Sequence, residues 1–222
     1  MGMRVSPTPP SPEELARALR PARGLAEELM AAAAPIRFTV AASATELDAV
    51  FRLRYEVVAE KGWNDGRDLD GGMERDRFDD RAQHIAGWDG DTLAATARLV
   101  FPAPHERLPT EEEFDVVVEP AGRVVDVGRG IVARGYRDSR HGAFIALLAA
   151  CWLRVWDRGF HLMCGDAVRS LIQGYRDMGF DVAVLGPARR HWGRDRYPIL
   201  IDAYRSATTA LERLGAMRER SR

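Results

Sequence analysis

Lysine is nearly absent from this 222-residue chain: Lys61 is the single lysine, so 31 of the 32 basic residues are arginine. Any carboxylate or phosphate that the protein binds is therefore expected to meet arginine, whose planar guanidinium donates in a bidentate geometry. A net charge is lacking as well, because 33 acidic residues nearly balance the basic ones. This balance gives no electrostatic argument for binding to nucleic acid or to a membrane surface.

Cysteine and long apolar segments are also scarce. Cys151 and Cys164 are the two cysteines, and their spacing fits neither a metal site nor the disulfide framework of a secreted protein. None of the five histidines lies in a metal-ligand pattern. No stretch approaches the roughly 20 apolar residues of a transmembrane helix, and the N-terminus is rich in proline rather than signal-like. We expect a cytoplasmic protein with reduced thiols and no metal.

The composition that is present, 46% hydrophobic and 29% charged residues, is typical of a globular domain with a full core. We predict a main domain over residues 36–205 and a C-terminal helical tail over 206–222. Residues 1–35 are predicted to be an accessory arm, disordered at first and then helical. Its helix should begin at Ser11-Pro12, be interrupted at Pro21 and end before Pro35.

The main domain alternates between strand-like and helix-like segments. Apolar residues with a period of two predict strands, and the spacing i, i+3, i+4, i+7 predicts helices. The predicted strands are 36–40, 84–88, 93–100, 124–128 with 131–133, 161–165, 182–185 and 198–202. The predicted helices are 44–60, 144–155 and 170–178, and the irregular segments are 64–81, 101–120 and 187–197. Asp-Gly after residue 88 predicts a hairpin turn, and the whole order predicts a mixed α/β sheet.

The stretch 123–160 combines a strand, a basic turn and an apolar helix. The first turn of a helix has unpaired N–H groups and a positive dipole end, so this arrangement suits an anion. Arg137, Arg140 and Gly142 in the turn favour that interpretation over an ordinary strand–helix connection. The helix is apolar almost all round, so either the N-terminal arm or a second subunit should cover it.

Two motifs resemble the GNAT acyltransferase superfamily. Arg137 to Gly142 lies at the superfamily's pyrophosphate loop, Q/R-x-x-G-x-G/A, with Arg140 in place of the first glycine. Tyr175 to Phe180 is similar to its Y-x-x-x-G-F helix end, where Gly179 is the left-handed stop. The resemblance implies a GNAT-like mixed, mostly antiparallel twisted sheet with a splayed central strand and helices on both faces.

The N-terminal half has a narrower resemblance, to acyl-homoserine-lactone (autoinducer) synthases and the related N-acyl amino acid synthases. Their pattern of R, W, E-x-D-x-x-D and R-L matches Arg54, Trp63, the segment Glu74 to Asp79, and Arg98. Their E-x-S-R is similar to Asp126 to Arg129. The chain departs from the autoinducer synthases by Asp for Glu at 126, Gly for Ser at 128, and Val58 for an aromatic residue.

The resemblance implies a role for each matching residue. Glu74, Asp126 and Tyr175 are the predicted catalytic residues; the predicted substrate-binding residues are Arg54, Trp63, Asp76, Asp79, Arg98 and Arg129. The predicted cofactor-binding residues are Ile131, Val132, Arg137, Arg140, His141 and Gly142, of which Arg137, Arg140 and Gly142 would receive the phosphates of a pantetheine carrier. Three alternatives stay open: a solvated acidic loop for 74–79, a structural ion pair for Asp126, and a core position for Tyr175 in place of protonation of the leaving thiolate.

The leading functional hypothesis is an N-acyltransferase. It would move a fatty acyl group from acyl carrier protein or acyl-CoA to the amine of an amino-acid-like acceptor. One alternative is a GNAT acetyltransferase that uses acetyl-CoA on a small amine or a protein. Another is a non-catalytic GNAT-like protein that binds an acyl carrier or a ligand.

Overall fold

The architecture was determined from a computed structural model, which describes residues 11–63, 69–138 and 141–207. The helices are α1 Pro12–Ala31, α2 Ala44–Lys61, α3 Pro109–Phe114, α4 Gly142–Asp157 and α5 Arg169–Asp177. The strands are β1 Arg37–Val40, β2 Gln83–Asp89, β3 Thr92–Val100, β4 Val124–Val132, β5 Leu162–Ala167, β6 Asp181–Val184, β7 Arg189–His191 and β8 Arg194–Asp202. Three short 3-10 turns occupy Asp70–Gly72, Asp79–Arg81 and Arg134–Tyr136. None of the described helices is long and apolar enough to cross a membrane.

The strands form one sheet in the order β1-β2-β3-β4-β5-β8-β6, with β7 paired to β8. All neighbours are antiparallel except β4 and β5, which run parallel and pair from Val124–Leu162 to Asp126–Cys164. Beyond Asp126, β4 continues along β3 and β5 continues along β8. The sheet therefore splays at its centre, and the predicted fold class is confirmed.

The two faces of the sheet carry different helices. On one face α4 and α5 bury a core that includes Val125, Leu147, Cys151 and Met163. On the other face α2 packs through Val50 and Phe51, and the segment around α3 covers Val124 and Leu162. Helices thus lie on both faces, as predicted.

Helix α1 packs against α4 and covers its outer side. Leu19 and Ala22 are buried in the same core as α4, and Arg23 forms a 2.5 Å ion pair with Asp157 at the end of α4. Ser11 caps α1 as predicted, but the expected interruption at Pro21 is wrong because the helix runs through it. Packing against α4 stabilises α1 despite the unfavourable helix propensity of Pro21.

Two segments expected to be irregular contain regular structure. Residues 101–120 include α3, and residues 187–197 include β7 and the start of β8. The β7–β8 hairpin turns at Trp192 and Gly193, which both have positive φ (49° and 71°). Such a turn suits a two-residue hairpin. The strand residues on either side are mostly charged, so they lack the alternation of apolar and polar residues on which a strand prediction depends.

Three predictions concern partly or wholly undescribed segments. Disorder at the N-terminus was predicted for residues that precede the described range. The polar loop 64–81 is described from Leu69 onwards, where it contains two of the 3-10 turns. The C-terminal helix begins in the structure at 203–207, and its continuation lies outside the described residues.

Candidate active site

A buried charge cluster joins α2, the loop before β2, and strands β3 and β4. Arg54 on α2 is fully buried and donates through Nε to the carboxylate of Glu74. Its two terminal nitrogens donate to Asp79, Nη1 to Oδ1 at 2.8 Å and Nη2 to Oδ2 at 3.2 Å. The loop is thereby fixed to the helix, so it is not a solvated acidic loop.

Arg98 and Arg129 complete the cluster from the sheet. Nη1 of Arg98 donates to Asp76 at 2.7 Å and to Asp79 at 3.2 Å. Arg129 donates through Nε to Glu74 at 3.1 Å and through Nη2 to Asp76 at 3.0 Å. The structure thus brings together all of the predicted substrate-binding residues except Trp63.

The arginines keep the cluster's carboxyl groups ionised. Burial alone would raise their pKa values, but the positive charges and hydrogen bonds of Arg54 and Arg98 outweigh it and lower the pKa of Asp79 to about 2. The pKa values of Glu74 and Asp76 are lowered in the same way, against the effect of burial, by their arginine partners. These carboxylates therefore bind cations and are poor proton acceptors.

Asp126 has different surroundings. It is 2% exposed, and its Oδ2 accepts hydrogen bonds from the backbone N–H of Thr110 at 2.8 Å and from Sγ of Cys164 at 3.6 Å. Within the described residues it forms no ion pair, so the structural ion-pair alternative has no support there. Burial raises the pKa of Asp126, although the hydrogen bonds from Thr110 oppose the shift.

These residues surround a cavity of about 470 Å³ on the α2/α3 face of the sheet, where β4 and β5 part. Its lining contains six carboxylate residues and three arginines, which favours a positively charged ligand. The lining is formed by Leu69, Glu74, Arg75, Asp76, Phe78, Arg98, Pro109, Thr110, Glu112, Glu113, Phe114, Asp126, Gly128, Arg129, Asp166, His191 and Trp192.

Several lining residues were not predicted. Thr110 and Phe114 come from α3, Asp166 from β5, and Trp192 from the β7–β8 turn. The guanidinium of Arg129 lies over the Trp192 ring, 4.5 Å from its centroid. In the sequence, the β7–β8 turn is visible only as Trp192 followed by Gly193 between charged residues. This pattern identifies a turn only once the hairpin is known.

Trp63 supports the cavity from behind and is absent from its lining. A Cβ built on Gly193 would lie 2.7 Å from the Trp63 ring, so only glycine allows the hairpin to pack this closely. The guanidinium of Arg196 lies 5.6 Å from the centroid of the same ring and pairs with Asp166 at 2.9 Å. Trp63 therefore positions the β7–β8 wall.

A second cavity, of about 170 Å³, lies at the turn before α4. It is lined by Val132, Tyr136, Arg137, Asp138, His141 and Phe144. Arg137 donates through Nε to the carbonyl of Val132 and through Nη1 to both carboxylate oxygens of Glu60, at 2.8 and 2.9 Å. Three of the six predicted cofactor-binding residues, Val132, Arg137 and His141, thus line one cavity.

Two of the other predicted cofactor-binding residues, Gly142 and Ile131, lie outside this lining. Gly142 begins α4, and its N–H donates to Asp138 at 3.3 Å. Ile131 is buried beneath Leu53 and Val57 of α2. Arg140 lies outside the described residues.

Tyr175 lies in the core and lines neither cavity. Its ring packs edge-on against Phe180, with 5.9 Å between centroids, and burial raises its pKa. This placement corresponds to the core alternative for Tyr175. Within the described ranges, no three His, Cys, Asp or Glu side chains are grouped to hold a metal ion.

Comparison with known proteins identifies the domain. Residues 53–147 match the family model of the acetyltransferase (GNAT) domain. No curated protein sequence matches the chain.

The solved structures with a similar fold include synthases of two kinds. The AHL synthase LasI has a TM-score of 0.64 at 13% identity, covering 76% of this chain and 90% of its own. BjaI, a CoA-dependent acyl-homoserine lactone synthase solved with MTA, has a TM-score of 0.62 at 23% identity, covering 81% and 89%. FeeM, an N-acyl amino acid synthase from uncultured soil microbes, has a TM-score of 0.56 at 11% identity, covering 79% and 95%. The predicted superfamily and enzyme class are confirmed by the match of residues 53–147 to the acetyltransferase (GNAT) domain, and the fold is shared with acyl-homoserine lactone and N-acyl amino acid synthases.

Proposed function

We propose that this protein is an N-acyltransferase that moves a fatty acyl group from an acyl-CoA or acyl carrier protein thioester to the amine of an amino-acid-like acceptor. The observation that carries the proposal is Asp126, a buried carboxyl group in the wall of an acid-rich cavity at the splay of the sheet. An amine entering this cavity meets a carboxylate that forms no ion pair with the described side chains, although the charge of Arg98 acts on it.

The reaction makes limited demands on the protein. The acceptor ammonium loses a proton to Asp126, directly or through a water molecule, and the free amine attacks the thioester carbonyl. A C–N bond forms and the C–S bond breaks; the attacking nitrogen loses its second proton, and the departing thiolate takes up one proton. The raised pKa of Asp126 makes it a stronger base than an exposed aspartate.

The charge cluster orients the acceptor. Arg98 and Arg129 line the cavity and are held by carboxylates on one side, so their positions are fixed before a ligand arrives. Their guanidinium groups suit the carboxylate of an amino acid. Glu74 and Asp76 line the same wall, while Arg54 and Asp79 hold the loop from behind. We assign Tyr175 no role in proton transfer.

The donor is proposed to bind at the splay and at the turn before α4. Past Asp126, β4 forms no ladder pairs with β5 in the described structure, which leaves backbone groups for the amides of a pantetheine arm. Arg137, His141 and Gly142 lie at the start of α4, where phosphates are favoured. Arg140 is assigned to the same phosphates from the motif alone.

The decisive experiment is a thiol-release assay on the purified protein. Decanoyl-CoA and decanoyl acyl carrier protein would be offered with a panel of amino acids, and the N-acyl product identified by mass spectrometry. We expect thiol release that depends on the acceptor. Turnover of acetyl-CoA alone would identify a plain GNAT acetyltransferase, whereas donor binding without thiol release would identify a non-catalytic binding protein.

A further inference from the structure

Gly128 lies on β4 two residues after Asp126 and lines the large cavity. Its φ is outside the left-handed region, so the backbone does not require glycine. A Cβ built on it would meet Oδ1 of Asp126 at 3.6 Å, an ordinary contact. Gly165 on the neighbouring strand differs, because a Cβ there would lie 2.5 Å from the Val127 carbonyl oxygen. Glycine at 128 therefore leaves open space in the cavity and serves no packing need.

The open space lies beside one particular oxygen. Oδ2 of Asp126 is engaged by Thr110 and Cys164, and Oδ1 is the atom directed toward Gly128. An acceptor amine that approaches Asp126 from the cavity therefore reaches Oδ1. On its way it passes the position that a side chain at residue 128 would occupy.

We propose that Gly128 is the position that sets acceptor size. Its missing side chain admits an amino acid with a bulky substituent next to the reacting amine. The inference rests on the proposed function and names the substrate class of that site.

Two further features support this substrate class. The cavity volume of about 470 Å³ lies within the range of about 300–1,000 Å³ typical of ligand pockets. Phe78, Phe114 and Trp192 give the cavity apolar surface against which a large side chain can pack.

The test is Gly128→Ala, assayed by thiol release with glycine, leucine and phenylalanine as acceptors. We expect kcat/KM for phenylalanine to fall about tenfold or more relative to glycine, mainly through KM, since one added methyl group blocks the approach. The pH at which activity rises should stay the same, because the new methyl group makes only an ordinary contact with Oδ1. Gly174→Ala on α5 is the control, since a Cβ there meets nothing within 4 Å.

The outcomes separate the two proposals. Unchanged kcat/KM ratios in Gly128→Ala, with an active wild type, would overturn the size-selection inference and leave the proposed function standing. A uniform loss for every acceptor with a shifted pH profile would also overturn it, because the substitution would then act on Asp126 itself. A wild type that releases no thiol with any acceptor would overturn the proposed function and this inference together. Thermal unfolding of both variants checks that they fold.

Discussion

Two buried aspartates, Asp126 and Asp79, show at the level of single residues how surroundings set the charge of a carboxyl group. Asp79 accepts from Arg54 and Arg98, and these cations hold its pKa at about 2 despite burial. Asp126 accepts from neutral donors, and burial raises its pKa. The first group is therefore a fixed charge, and the second is the group that we propose as the proton acceptor.

Asp126→Asn should lower turnover strongly and stabilise the fold. Loss of a general base typically reduces turnover by about 10²–10⁴-fold. The folded-state pKa of Asp126 is raised, so its favourable contribution is present below the unfolded pKa and is lost as pH rises through the folded pKa. Ionisation of this buried carboxyl group therefore opposes folding, and asparagine removes the ionisable group. Thiol release measures the first effect and urea unfolding at pH 7 measures the second. Asp91→Asn is the control, because Asp91 is exposed. Retained turnover in Asp126→Asn would rule out the proposed base.

Asp79→Asn should destabilise the protein. The substitution leaves Arg54 with a buried, incompletely compensated charge, and breaking such a pair typically costs about 3–5 kcal/mol. Asp80→Asn is the matched control, because Asp80 is an exposed neighbour whose ion pair with Arg75 lies at the surface; its expected cost is about 0–1 kcal/mol. Urea unfolding at pH 7 compares the two, and equal losses would contradict the importance of the cluster.

The pH dependence of stability tests the same group. Because the pKa of Asp79 is depressed, its contribution is present above the unfolded pKa of about 3.9 and is lost as pH falls toward 2. The wild type should lose stability over this window, and Asp79→Asn should lose less. Parallel curves for the two proteins would contradict the assignment of the shift to Asp79.

At the level of secondary-structure elements, an ion pair links the end of α2 to the turn before α4. Glu60 holds Nη1 of Arg137 with both oxygens, at the place where the motif assigns donor phosphates. A phosphate must therefore compete with the Glu60 carboxylate for the same guanidinium.

Glu60→Gln should tighten donor binding by about two- to fivefold, the scale of a surface ion pair. Calorimetric titration with CoA would measure the change, which should shrink at high salt. Glu56→Gln, an exposed position one turn earlier on α2, controls for the charge difference. Equal affinities in the two variants would show that Arg137 does not contact the donor.

The secondary-structure elements differ in how well the sequence predicted them. The difference depends on whether the signal for an element lies within its own segment of the chain. The hairpin β2–β3 and helix α4 were predicted because apolar periodicity and the Asp-Gly turn are visible in the chain itself. Strand β7 and the start of β8 carry mostly charged residues, so their strand character depends on pairing with each other. Helix α3 is six residues long, too short for a periodic signal.

The same division applies to the candidate site. Arg54, Glu74, Asp79 and Arg98 were predicted because their spacing along the chain matches a known pattern. Asp166 lies on β5 and Trp192 lies in the β7–β8 turn. These elements meet only in the folded sheet, so no spacing within one segment identifies the two residues. Thr110 donates its backbone N–H to Asp126, and its side chain also lowers the pKa of that carboxyl group. It lies 16 residues before Asp126 on a six-residue helix, so no local pattern linked the two residues.

At the level of the whole molecule, α1 covers the outer side of α4 and ties the N-terminal segment to the core. Leu19→Ala should cost about 2–5 kcal/mol, because Leu19 is buried in the core that includes α4. Leu29→Ala is the matched control on the same helix, since Leu29 is only partly buried. Urea unfolding measures both, and equal effects would show that α1 contributes little through its contact with α4.

The contact between α1 and α4 also has a consequence for the order in which the protein is made. Arg23 and Asp157 are 134 residues apart in the chain, and a ribosome adds about 5–20 residues per second. Helix α1 therefore emerges on the order of ten seconds before its partner. During that interval the side of α1 that carries Leu19 and Ala22 has no α4 to pack against. Helix α1 is thus synthesised well before the helix against which it packs.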